Sequence, residues 1–148
     1  MIENRNGLVV DIELLQPSGT AERDAAMLMA ERIEGTERVT IAADKAYDTK
    51  NFVAVMPELH VTPHMSQNEK RLGGSAIDGR TTRHDGYEVG QRKRKRIQEV
   101  FGWMKSVGML RKTRHWEVFK VGWVFRSTAA AYTLVRVRNL LFPSLQSA

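Results

Sequence analysis

RVTIAADKAYDTKNFVAVMPELHVTPHM, residues 38–65, is the stretch on which the fold turns. Its opening, RVTIAAD (38–44), is short, β-branched at its start and closed by Asp44, which is the pattern of a strand. A helix over 49–59 follows, entered through Asp48 or Thr49, and Pro57 removes one helical N–H and should kink or shorten it. HVTPHM (60–65) then reads as a second, brief strand. Upstream, GLVVDIELL (7–15) alternates Leu8, Val10, Ile12 and Leu14 with Val9, Asp11 and Glu13, the period of a half-buried strand, ended by Pro17 to Gly19. TAERDAAMLMAERI (20–33) reads as a helix capped by Thr20. Glu22 and Asp24 suit the positive end of its dipole, and Ala25, Leu28, Met29 and Ile33 form its expected buried stripe. Downstream, Gly73-Gly74, Asp78-Gly79 and Gly86 mark residues 66–90 as a long polar loop. Helices over 91–107 and 117–141 complete the chain. This order predicts an α/β domain with a mixed sheet and flanking helices.

The 148 residues, 42% hydrophobic, fit one domain over 1–148 with one core. The absence of cysteine excludes disulfides and thiolate zinc sites. The opening MIENRNGLVVD lacks the apolar segment of a secretory leader, which predicts a cytoplasmic chain. The most apolar stretch, Trp123 to Leu141, is interrupted by Arg126, Arg136 and Arg138, so no membrane span is expected.

The net charge of +6 is concentrated. Residues 91–115 hold nine Lys/Arg against Glu99 alone, or +8, which leaves −2 for the remainder. A basic block on a near-neutral body suits a polyanion partner, although a solvated helix face has the same composition. On a continuous helix Ile97, Val100, Phe101, Met104 and Val107 share one face, which is the expected core side. Arg94, Gln98 and Lys105 then border it, while Glu99 points to water beside Lys95. A site residue on this helix is therefore expected at Gln98 rather than Glu99. Trp103 and Trp123 stand at positions expected for packing anchors. His60 and His64 flank Pro63 in an expected strand, so they share no helix face on which to bind zinc.

IAADKAYD (41–48), SAIDGRTTRH (75–84), RKRKRIQEVFGWMKS (92–106) and RKTRH (111–115) resemble, in this order, the transposases of bacterial insertion sequences. The resemblance is to the DDE class, in the insertion-sequence-five group, and extends to NRNGLVVD and GTAERDAA near the start. It implies an RNase H-like domain in which three carboxylates hold two Mg²⁺ or Mn²⁺ ions for phosphodiester cleavage and strand transfer. The motif's second Asp falls on Asp44. Its Glu, five residues before the Trp of F-G-W-x-K, falls on Gln98, with Arg94 and Lys105 at the accompanying basic positions and Gln91 where a Tyr is common. The motif's first Asp precedes the segment matching GLVVD. The resemblance thus implies a partial RNase H-like domain, its N-terminal strand missing. Such a C-terminal transposase piece, inactive alone, has Asp44 as its one metal-binding carboxylate.

The partners implied are transposon ends and target DNA in a bacterial nucleoid, together with an intact transposase or a missing N-terminal half. Arg92, Lys93, Arg94, Lys95, Arg96, Lys105, Arg111, Lys112 and Arg114 are the expected phosphate contacts. Arg80, Arg83 and His84 are weaker candidates in the 66–90 segment. The alternative reading is a non-catalytic DNA-binding regulator or partner of an intact transposase.

Overall fold

The structure, a computed structural model, describes residues 1–143. The chain divides into two compact units, Gly19–Lys95 and Met1–Ser18 with Arg96–Ala148. They are called the inner and the terminal unit below.

The inner unit runs α1 (Ala21–Glu31), β1 (Val39–Ala43), α2 (Lys50–Val55), β2 (Val61–Met65), α3 (Gly79–Thr82) and α4 (Asp85–Lys93). Among the described residues the sheet is two parallel strands rather than the mixed sheet expected, with β1 and β2 in register from Val39↔Val61 to Ala43↔Met65. Parallel pairing needs a crossover, and α2 supplies it. Thr49 starts α2 by accepting from the Phe52 N–H at 3.2 Å. Pro57 then turns the chain into a 3₁₀ stretch, Met56–Leu59, the shortening its missing N–H demands. The strands, α1 and α2 bury Ala30, Phe52, Met56, Val61, Met65 and Ile77. The face of α1 against this core is Ala26, Met27 and Ala30, not Ala25, Leu28, Met29 and Ile33. Leu28 is exposed.

The expected loop over 66–90 is partly helical. Gly86, expected to mark a turn, lies in α4 together with Gly90, where the helix approaches the sheet. A Cβ at Gly90 would come within 3.3 Å of both Ala42 Cβ and His64 Nδ1. On the same face, the Tyr87 hydroxyl donates to the Met65 carbonyl (2.9 Å) and the Gln91 amide to that of His64 (2.6 Å). The expected helix over 91–107 is thus three pieces: α4, a 3₁₀ turn at Arg94–Arg96, and α5 (Ile97–Ser106).

The terminal unit contains α5 and α6 (Val118–Leu141). Its core is Val100, Met104, Ala129 and Tyr132, joined by Ile2, Val9, Ile12, Trp103, Leu110 and Phe125. Residues 7–15 do not form the strand expected. Val9 makes one antiparallel bridge to Ile2. The alternation is not kept, since Val9 and Ile12, from opposite sides of that pattern, enter the core while Val10 is exposed. The Glu3 carboxylate closes the turn at 3–8 by accepting from the N–H groups of Arg5 (2.7 Å), Asn6 (2.6 Å) and Leu8 (3.1 Å). Two arginines hold that turn from outside. Arg96 Nη1 donates to the Asn4 (2.9 Å) and Arg5 (2.7 Å) carbonyls, and Arg136 Nε to that of Asn6 (2.8 Å).

Candidate nucleic-acid interface

Asp44 sits at the C-terminal end of β1, as its position in RVTIAAD suggests. Its side chain is exposed and accepts from the Ala46 N–H at 2.8 Å, capping the 3₁₀ turn Lys45–Tyr47. Four residues on, Asp48 is the acidic group that the fold encloses. It is fully buried, and its carboxylate accepts from the N–H groups of Asn68 (2.6 Å) and Ala76 (2.8 Å). The Arg71 guanidinium bonds its backbone carbonyl. Burial opposes its charge, but the Ser75 hydroxyl and the N–H groups of Asn68, Ala76 and Ile77 outweigh burial and hold its pKa below the usual aspartate value. Asp48 therefore fastens residues 68–77 to the start of α2, a role its place before a helix did not reveal.

Gln98 lies in the terminal unit, whereas Asp44 lies in the inner one. Gln98 does not border a core as expected, because its side chain is exposed, like that of Glu99. The reason is the phase of α5. Val100, Trp103 and Met104 face the core, with Trp103 edge-on to Tyr132 at 5.6 Å, while Phe101 and Val107 are exposed. The buried face is thus turned by about 40° from the one expected, at 100° per residue. That rotation moves position 98 to the solvent side. The 3₁₀ turn at 94–96 also changes the angular step per residue, so Arg94 and Gln98 do not share one continuous helical flank.

The donor set does not fit a pair of divalent ions. It offers one exposed, cap-engaged carboxylate and one neutral amide. Among the described residues no group of three or more His, Cys, Asp or Glu side chains is placed to hold a metal. His60 ends the 3₁₀ stretch in a left-handed conformation (φ 56°), while His64 is buried in β2. The His64 ring instead lies tilted against that of His84 (5.9 Å) and edge-on to that of Tyr87 (5.6 Å). Burial, then the neighbouring His84, lowers its pKa.

The basic residues separate into two kinds. Arg92 and Lys95 are exposed around the 3₁₀ turn, as are Lys105 on α5 and Arg111, Lys112 and Arg114 beyond it, while Lys93 is half-buried. Arg94 bonds Gln91 Oε1 at 2.8 Å, and Arg96 holds the 3–8 turn. Of the weaker candidates, Arg80 pairs with Asp78 at 2.8 Å, Arg83 is exposed, and His84 caps α4 by accepting from the Gly86 N–H at 3.1 Å. Trp123 is not the packing anchor expected, being 66% exposed. No helix among the described residues is long and apolar enough to cross a membrane. No family model, no curated protein and no solved structure matches the chain.

Proposed function

We propose that this chain is a transposase-type DNA-binding protein that grips the backbone of duplex DNA through its basic segment and does not itself cut or join DNA. The observation that carries the reading is the basic block. Residues 91–115 hold nine Lys/Arg and one Glu, and six of those cations, Arg92, Lys95, Lys105, Arg111, Lys112 and Arg114, have exposed side chains. Clustered cations bind phosphates by releasing condensed counterions. The ordered motifs shared with insertion-sequence transposases support transposon ends and target DNA as partners. They also support an RNase H-like origin for β1–α2–β2, and a parallel strand pair with helices is compatible with one. The absence of catalysis is part of the proposal because the motif positions supply one carboxylate.

The test is duplex affinity by fluorescence anisotropy between about 50 and 200 mM salt, the range over which phosphate contacts weaken strongly. Affinity is expected to fall linearly in log–log form. Changing Arg92, Lys93 and Lys95 together to Gln should flatten the slope by up to about 2.7, at roughly 0.9 per phosphate contact. Salt-independent binding, or none, overturns the reading.

A further inference from the structure

We propose that Trp116, Phe119 and Trp123, with the cations Arg111, Lys112 and Arg114 that precede them, form a second nucleic-acid site that stacks on the unpaired bases of single-stranded DNA. This deepens the DNA-binding reading and rests on it.

Trp116 is 96% exposed, Phe119 81% and Trp123 66%. Trp and Phe are among the side chains that bury most area in folded proteins, so three exposed rings within eight residues demand a partner. Phe119 and Trp123 are spaced i, i+4 on α6 and so are neighbours on one face. Trp116 immediately precedes Glu117, the N-cap of that helix. The core side of α6 is the row Gly122, Phe125, Ala129 and Tyr132. At 100° per residue Phe119 and Trp123 stand roughly 100–140° away from it. They are therefore not a frayed edge of the core.

The company these rings keep identifies the partner. RKTRHWEVFKVGW (111–123) carries four Lys/Arg and one Glu, a net +3. That Glu, Glu117, is already paired with Lys120 at 2.9 Å. Every exposed side chain in the segment is a ring, a cation, Thr113 or Glu117, while the aliphatic Val118 and Val121 are half-buried. The fully buried centre of a protein–protein interface is depleted of charge, unlike this segment. A run of cations leading into a group of rings matches a single strand instead, where bases stack on aromatic faces and phosphates meet Lys and Arg. Bases within a duplex are already stacked on each other and cannot use these rings, which separates the ring contacts from the phosphate contacts that hold duplex DNA.

The test uses the full chain with a fluorescent single-stranded oligothymidine of about 20 nucleotides, enough for several stacked bases, and with a duplex of equal length. A W116L/W123L variant keeps apolar bulk and loses the rings, and W116F/W123F keeps aromatic faces. Trp103 remains in both as a fluorescent reporter of the terminal unit's fold. The Leu pair is expected to weaken single-strand binding by about ten- to a hundred-fold, and the Phe pair by less than about three-fold, since stacking is the main term. Duplex affinity and its salt slope should be unchanged in both. Undiminished single-strand binding by the Leu pair overturns this inference, while salt-dependent duplex binding still upholds the proposed function. The same result with a change in oligomeric state assigns the rings to a protein interface and also overturns it. Ring-dependent single-strand binding without duplex binding upholds the site and removes the duplex reading. Binding to neither removes both.

Discussion

Among single residues, Asp48 shows most clearly what spacing in sequence cannot reveal. It precedes Thr49 and a helix, and such an Asp reads as a cap. Thr49 is the cap, and Asp48 instead receives hydrogen bonds from Asn68 and Ala76. Donors 20 and 28 residues away leave no local signal. Asp48→Asn places an amide donor among N–H donors, so a loss of about 1–3 kcal/mol in a urea melt at neutral pH is expected, the range for a buried group left unsatisfied. The pH dependence has a definite sign. A carboxyl with a lowered folded pKa contributes stability above its unfolded value, near about 3.9, and loses it as pH falls through the folded one. The wild-type chain should therefore weaken below about pH 4 by a component that the Asn variant lacks. His64 acts at higher pH. Its lowered folded pKa keeps the buried ring neutral, so the unfolded chain takes up the proton first and stability declines as pH drops below about 6.5. His64→Gln should remove that decline between about pH 7 and 5, and an unchanged profile would count against the buried neutral ring. Gln98→Glu is expected to give no Mg²⁺- or Mn²⁺-dependent nicking of plasmid DNA, because the new carboxylate is exposed on α5 and Asp44 is committed to its cap. Nicking by that variant would refute the non-catalytic reading.

Elements were more legible than residues, and they failed where a contact overrides local pattern. β1, α2 with its Pro57 break, and β2 follow from β-branching, capping and proline chemistry alone. The stretch at 7–15 did not keep its alternation, because Val9 and Ile12 pack inward, Val10 faces solvent, and the pairing is a single bridge from Val9 to Ile2. At 85–93, glycines that punctuate loops elsewhere serve close approach of helix to sheet. Gly108, after α5, is a sharper instance. A Cβ there would stand 2.4 Å from Thr128 Cγ2 and 2.7 Å from the Met104 carbonyl oxygen. Thr128 can be shortened, but the backbone carbonyl cannot retreat without disturbing the α5 terminus, where the Leu110 N–H bonds the same oxygen at 3.0 Å. Gly108→Ala is expected to lower stability by about 2–3 kcal/mol, an overpacking penalty. Adding Thr128→Ala should recover part of it and leave the remainder due to the carbonyl. Chemical denaturation of the single and double variants measures both, and full recovery would place the whole clash on the threonine.

At the scale of the whole molecule, charge is the property that sequence conveys best, because it needs no geometry to be counted. The +8 of residues 91–115 against −2 elsewhere holds whatever the fold. What counting cannot do is separate cations that build the protein from cations free to meet phosphate, and Lys95 and Arg96 are adjacent examples. Lys95 is exposed beside the 3₁₀ turn. Arg96 spends Nη1 on the carbonyls of Asn4 and Arg5, which fixes the 3–8 turn in the terminal unit. Neutralising either removes one unit of charge, so a purely electrostatic account predicts equal effects on DNA binding. The structure predicts opposite patterns. Lys95→Gln should flatten the salt slope of duplex binding by up to about 0.9 and leave the melt unchanged. Arg96→Gln should leave two carbonyls without their donor and cost about 1–2 kcal/mol of stability, with little change in slope. Measuring slope and melt for both variants tests the division directly. Equal slopes with equal melts would mean that the block acts only as diffuse charge, and that its placement across a turn and two helices does not matter for binding.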